Sequence, residues 1–112
     1  MNCQNIHAHG IQRGTTPTIT IAYRVVDVHQ ISVAWLTIHQ CGYPFRIERD
    51  LSSAAVDQNT LSWTLTQEET LRLSARVAAR IQCRYLLADG TAGSSPSYSV
   101  PVDDILHEGV IA

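Results

Sequence analysis

Hydrophobic and polar residues alternate without a break from Leu71 to Leu87, with an apolar residue at every odd position. Apolar residues also recur every four residues, as one face of a helix would require. The arginines of the segment are Arg72, Arg76, Arg80 and Arg84. A helix would bring these like charges to about 5–6 Å from one another, whereas a strand separates them by about 13 Å. The charges therefore favour a strand, which we predict from Val77 to Ala88.

Shorter alternating runs predict further strands, separated by turn residues at intervals of about ten positions. They cover Thr18–Val26, Ile31–His39, Phe45–Glu48, Leu61–Leu65 and Ser97–Val102, with a short edge strand around Ala54–Val56. Both faces of Ile31–His39 are apolar, which indicates a central strand, and the alternation places Trp63 in the core. Asp89-Gly90 predicts a tight turn. Pro101 has no amide hydrogen, so the last strand lies at a sheet edge or ends there.

Only short helical segments are expected. Thr66 and Glu69 have the spacing of a capping box and predict a helical turn over residues 67–72. A second turn is predicted around Asp104–His107. Residues 1–17 are polar and predict an irregular N-terminal arm, which leaves residues 18–112 as one domain. Together, these strands and short helical turns predict an all-β fold, an immunoglobulin-like antiparallel β-sandwich of about six to eight strands.

Composition removes several functional classes from consideration. The 112 residues carry a formal net charge of −2, and all eight basic residues are arginine. This balance provides no broad attraction for nucleic acid. The first ten residues lack the cationic and apolar regions of a signal peptide, and the apolar runs are too short to span a bilayer. The sequence therefore predicts no nucleic-acid partner and no membrane partner.

The three cysteines predict free thiols. Cys3, Cys41 and Cys83 are odd in number and lack the short spacing of metal ligands, so a disulfide framework cannot use all of them. Cys83 lies on the apolar side of the predicted strand at Val77–Ala88, where a thiol behaves as a small hydrophobic group. Synthesis in a reducing compartment is the simplest interpretation.

Candidate chemistry is sparse. His7 and His9 would both reach a metal ion if the arm were extended, but no third ligand is near in sequence. Cys41 and His39 are the closest thiol and imidazole, yet no orienting acid and no glycine motif accompany them. We therefore predict exposed histidines and an ordinary turn cysteine, with no catalytic residues, no metal and no cofactor.

One surface is a candidate interaction face. The polar side of the predicted strand places Arg76, Arg80, Gln82 and Arg84 in a stripe that fits carboxylates or an acidic protein edge. Two alternatives remain open: the stripe is a solvated outer face, or it contacts a neighbouring subunit. A different kind of function, binding of a carbohydrate or other ligand, would use the aromatic residues Trp35, Tyr43 and Tyr98.

Three segments carry a resemblance to a known group of proteins. They are GTTPTIT at residues 14–20, LTQEETL at residues 65–71, and IQCR at residues 81–84 followed by DGTA at residues 89–92. In this order they resemble a family of small phage and prophage proteins of Gram-positive bacteria, over nearly the whole chain. The chain is more distantly similar to the N-terminal sandwich of phage baseplate upper proteins. The chain departs from the family pattern in having no lysine and a longer arm before Gly14.

The resemblance implies the fold and a location among phage or prophage genes, and it transfers no site residues. It implies a virion structural or assembly protein of the tail or baseplate, which acts through contacts with other virion proteins or with copies of itself. Such a protein would be assembled in the cytoplasm of the bacterial host, and a homo-oligomer in the particle is expected. The leading alternative is the ligand-binding β-sandwich module.

Overall fold

The computed structural model describes residues 4–6 and 10–112. Within them lie one short α-helix, α1 (Gln67–Leu71), and two 3₁₀ turns, Val28–Gln30 and Leu51–Ser53. The strands are β1 (Gln4–Ile6), β2 (Ile11–Gln12), β3 (Thr18–Tyr23), β4 (Ile31–His39), β5 (Arg46–Asp50), β6 (Ala55–Asp57), β7 (Thr60–Thr64), β8 (Ala79–Leu87), β9 (Ala92–Ser94), β10 (Tyr98–Val100) and β11 (Val102–Asp103). The predicted all-β class is confirmed.

Two antiparallel sheets form the sandwich. The first has the strand order β1-β3-β7-β6, and the second has the order β10-β8-β4-β5, with β9 also paired to β8. These orders correspond to strands A-B-E-D and G-F-C-C′ of the immunoglobulin fold. The predicted immunoglobulin-like sandwich is therefore correct at the level of topology. A separate parallel pair joins β2 to β11.

The core lies between the sheets and consists of the inward residues of the alternating strands. Trp63, Leu36, Ile38, Leu61 and Ile81 are fully buried. The Trp63 indole N–H donates a hydrogen bond of 2.9 Å to the Asp50 carbonyl, which links β7 of one sheet to the end of β5 in the other. The predicted core position of Trp63 is confirmed.

The helical turn forms where its capping box predicts it. The Glu69 amide donates to the Thr66 hydroxyl at 3.1 Å, and the Thr66 amide donates to the Glu69 carboxylate at 2.9 Å. Both hydrogen bonds satisfy amides that a helix start leaves without a partner. The Glu69 carboxylate also lies 3.0 Å from the Arg49 guanidinium, so the same residue ties α1 to β5.

The long strand begins two residues later than predicted, at Ala79 instead of Val77. The buried side chain of Gln40 holds the preceding loop: it accepts a hydrogen bond from the Ser74 amide at 2.8 Å and donates to the Val77 carbonyl at 2.9 Å and to the Ser74 carbonyl. Residues 74–78 therefore form a bend, even though the alternation of residue types continues through them.

The N-terminal segment differs from the predicted irregular arm. Residues 4–6 pair with β3, and β2 pairs with β11 and buries Ile11 completely. The prediction is therefore wrong for these two segments, because pairing with distant strands provides partners that the local sequence does not reveal. The separation of residues 18–112 as a domain of their own stays a prediction.

The helical turn predicted around Asp104–His107 is also wrong, because Asp104 and Ile105 have no regular secondary structure and Leu106 and His107 form a bend. The Arg13 guanidinium donates to the Asp104 carboxylate at 2.6 Å and to the Glu108 carboxylate at 2.9 Å. It also donates at 2.9 Å to the carbonyls of Leu71 and Leu73. Long-range ionic contacts therefore set the path of the C-terminal segment, in place of local helix formation.

Candidate functional site

Three of the four residues predicted to form an interaction face lie together on β8. Arg80, Gln82 and Arg84 alternate with the buried residues Ile81 and Cys83 and therefore point away from the core. Arg76 does not join them, because it precedes β8 in the bend held by Gln40. The placement of Arg76 in this stripe is wrong, and the role of the other three in binding stays a prediction.

The three side chains differ in how firmly they are held. The Arg80 guanidinium donates to the Ser97 hydroxyl at 3.2 Å, and the Gln82 amide donates to the Ser95 carbonyl at 3.3 Å. Arg84 is exposed and forms no ion pair with any of the described residues. Its guanidinium is therefore available to an anionic group from outside the chain.

Next to Arg84 lies a group of exposed apolar side chains that we call the apolar strip: Val33, Trp35 and Leu86. Their exposed fractions are 43%, 46% and 37%. In the register of β4 with β8, Val33 is opposite Leu86, and Trp35 is opposite Arg84. Residues that are directly opposite share a face and have Cβ atoms about 4.5–5.5 Å apart. The strip is thus one continuous patch on the outer face of the second sheet.

The apolar strip lines an open groove of about 350 Å³. Its other lining residues are Thr37, Glu48, Arg84, Tyr85 and Ala92. Gly93 lies opposite Tyr85 on β9 and leaves room for its ring, since an added Cβ would overlap the Tyr85 hydroxyl. Tyr85 in turn packs edge to face on Tyr23, with ring centroids 5.6 Å apart. Tyr85, which is among the residues that line the groove, is therefore also part of the packed core.

Acidic residues border the groove on the side opposite the arginines. On β5, Asp50 is opposite Trp35, and Glu48 is opposite Thr37. The Thr37 hydroxyl donates to the Glu48 carboxylate at 3.3 Å, and the Asp50 carboxylate accepts from the Ser52 amide at 3.1 Å. Neither carboxylate forms an ion pair within residues 10–112. The outer face thus has arginines along β8, the apolar residues Val33 and Trp35 on β4, and carboxylates over the Glu48–Asp50 part of β5.

The aromatic residues proposed for ligand binding do not come together. Trp35 lies in the groove, but the Tyr43 hydroxyl donates to Ser74 at 3.2 Å in a loop region, and Tyr98 sits opposite the buried Ile81 at the sheet edge. Sequence reasoning missed Val33, Leu86 and Glu48 as parts of the same surface. The available signal was an apolar residue at an outward position: Leu86 occupies the polar side of β8, and Val33 shares the outward side of β4 with Trp35.

The thiol and imidazole candidates are separated. A ring nitrogen of His39 lies 2.8 Å from the Tyr43 carbonyl, while Cys41 is exposed in the turn, and no hydrogen bond joins the two among the described residues. Cys83 is buried as predicted, and burial raises the pKa of its thiol, which disfavours the reactive thiolate. His7 and His9 lie outside the described residues.

Two further properties of the described residues bear on function: the capacity to bind a metal ion and the capacity of a helix to cross a membrane. In the described part of the chain, no three histidine, cysteine, aspartate or glutamate residues are grouped so that they would hold a metal ion. The single short helix described is far too small to cross a bilayer, and no longer apolar helix occurs in residues 4–6 and 10–112. The prediction that the protein is not an enzyme stays untested.

Comparison with known proteins identifies no relative: a scan against protein-family models gives no match, and a search of curated proteins finds no significant similarity.

Proposed function

We propose that this protein is a structural or assembly component of a phage particle, in the tail or baseplate, and that it acts through protein–protein contacts of its outer sheet face. The observation that supports a role in protein–protein contacts is the apolar strip. Its three large side chains stay exposed, although other apolar residues fill the core between the two sheets. Exposed apolar groups that are contiguous and rimmed by polar residues are typical of protein interaction sites.

The composition of the outer face supports a protein partner. Interface centres are enriched in aromatic residues and arginine, and Trp35 and Arg84 lie directly opposite each other beside the groove. The assignment to a phage particle is supported by the resemblance of residues 14–20, 65–71, 81–84 and 89–92 to phage and prophage proteins. Free thiols at Cys41 and Cys83 are in keeping with assembly in a reducing cytoplasm.

The experiment is particle purification from induced cells of the bacterium that encodes the chain. Particles banded in a density gradient are analysed by mass spectrometry, and an antibody to the protein locates it by immunogold labelling. We expect the chain to band with the particles in a constant ratio to the tail proteins. Its absence from purified particles, together with failure of the pure protein to bind tail or baseplate proteins, would contradict the proposal.

One observation favours a second candidate, a carbohydrate-binding module. Trp35 is half exposed in a groove that also presents the polar side chains of Thr37, Glu48 and Arg84. An aromatic ring beside hydrogen-bonding groups suits a sugar, which offers an apolar face and a ring of hydroxyls. A glycan array would show binding that Trp35→Ala abolishes. Binding to no glycan would leave the protein partner as the remaining candidate.

A further inference from the structure

The charges of the outer face are arranged so that one copy of the chain complements another. Arg80 and Arg84 lie on β8, Glu48 and Asp50 lie on β5, and β4 separates the two strands. Strands in a sheet are about 4.8 Å apart, so the basic and acidic lines run side by side at about 10 Å. Val33 and Trp35 of the apolar strip lie on β4 between these two lines, and Leu86 follows Arg84 on the outward side of β8. This surface has one positive side, one negative side and an apolar centre.

We propose that a second copy of this chain is the partner of the outer face, in a face-to-face dimer whose two-fold axis runs parallel to the strands. The inference rests on the proposed function, which it deepens by naming the partner. A two-fold axis in this direction exchanges left and right across the interface, so β8 of each copy lies over β5 of the other. Arg84 then faces Asp50 of the second copy directly, and Glu48 of the second copy lies diagonally beside it.

The alternative orientation is unfavourable. A two-fold axis across the strands would place β8 over β8 and would bring Arg80 and Arg84 against the same arginines of the second copy. Like charges that face each other in an interface oppose association. Arg46, at the far end of β5, would meet Arg80 in the favoured orientation, which limits the attraction to the half of the face that contains the apolar strip.

The size of the face predicts a weak dimer. Four neighbouring strands span about 19 Å, and the outward residues from Val33 to His39 span about 20 Å along the strand. Two such faces bury roughly 800 Å² in total, which is at the lower limit for a specific interface and is typical of weak, transient contacts. We therefore expect a dissociation constant on the order of 10–100 µM, and weaker association at high salt because exposed charges are screened.

The decisive experiment is a charge-reversal cycle measured by sedimentation equilibrium of the full chain. In homodimers of Arg84→Glu, acidic residues face acidic residues, and in homodimers of Glu48→Arg, basic residues face basic residues. Each variant alone is expected to dimerise roughly ten-fold more weakly than the unchanged protein. When the two variants are mixed, the reversed charges at positions 84 and 48 have opposite signs and lie diagonally across the interface, so the heterodimer is expected to recover part of the lost affinity.

Matched variants on the other sheet provide the control. Thr18 is exposed on the outer side of β3, so Thr18→Glu and Thr18→Arg each introduce one charge of the same sign as the corresponding reversal, without touching the outer face of the second sheet. They are expected to dimerise like the unchanged protein. Thermal unfolding and circular dichroism of each variant establish that it is folded before its association is measured.

Three outcomes would overturn the inference: a monomer at concentrations near 1 mM (about ten-fold or more above the expected constant), association that Arg84→Glu and Glu48→Arg leave unchanged, or no recovery in the mixture. If the pure chain stays monomeric while it still bands with phage particles, the self-pairing fails and the proposed function stands. If the chain dimerises as described but is absent from particles, the dimer stands and the phage role fails.

Discussion

The outer faces of the two sheets differ in chemistry although both cover the same core. On the first sheet, hydroxyl groups pair across β3 and β7: Thr18 with Thr64 and Thr20 with Ser62, both at 3.0 Å. On the second sheet, the apolar strip is exposed between lines of opposite charge. These hydroxyls on the first face pair within the chain, whereas on the second face Arg84, Glu48 and Asp50 form no ion pair with any described residue. We therefore attribute the paired hydroxyls of the first face to stability and propose a binding role for the second face.

The largest effect that tests this difference comes from the two tryptophans. Trp63→Ala should lower the free energy of unfolding by about 3–5 kcal/mol, because it leaves a cavity between the sheets and removes the hydrogen bond to the Asp50 carbonyl. Trp35→Ala removes the same side chain from the exposed strip and should cost less than about 1 kcal/mol. Urea unfolding measures both values. Equal losses would show that the strip is needed for folding and would remove the argument for binding.

A smaller effect is expected on the first face. A double-mutant cycle with Thr20→Ala and Ser62→Ala should give a coupling energy of about 0.2–1 kcal/mol, the range of cross-strand pairs on a sheet surface. The corresponding cycle for Trp35 and Arg84, which are opposite each other on the second face, provides the comparison. A coupling of several kcal/mol between Trp35 and Arg84 in the monomer would mean that this face, too, is organised for stability.

Local sequence patterns predict some elements of the fold correctly. The strand Ile31–His39 and the capping box at Thr66 and Glu69 follow from local patterns, and the structure has both where the patterns place them. The start of β8 does not follow, because Gln40 binds the loop from 34 residues away in sequence. The pairing of residues 4–6 and of Ile11 is missed for the same reason.

The candidate site was predicted only in part. Alternation identifies Arg80, Gln82 and Arg84 as outward residues, since it depends on the two-residue period of a strand alone. It does not distinguish an apolar face that another layer covers from one that stays exposed. From the sequence, Val33 and Trp35 therefore predict a central strand with two apolar faces. β4 is central within its sheet, yet these two side chains face outward from the sandwich.

The smallest predicted effect is a dependence on acid that involves neither face. The Ile105 amide and the Arg13 guanidinium donate hydrogen bonds to Asp104 and hold the pKa of its carboxyl below its usual value of 3.8. Because the pKa is lower in the folded state, the stabilisation is complete above the pKa of the unfolded chain. It is lost as the pH falls through the folded pKa.

Urea unfolding at a series of pH values below about pH 5 measures this loss. Asp104→Asn should make the stability less sensitive to acid than it is in the unchanged protein, and Asp103→Asn on β11 is the matched control. If Asp104→Asn leaves the acid dependence unchanged, the contact with Arg13 does not contribute to the stability of the folded state.

The hold of Gln40 on residues 74–78 has a practical consequence. Its three hydrogen bonds reach only main-chain atoms, at Ser74 and Val77, so the side chains of Ala75, Arg76 and Ala78 are exposed and take no part in them. The loop keeps its shape whatever residues occupy these positions, provided the backbone conformation is allowed. Arg76 is therefore a suitable place to attach a fluorophore or an affinity tag, at a distance from the groove and with the sandwich intact.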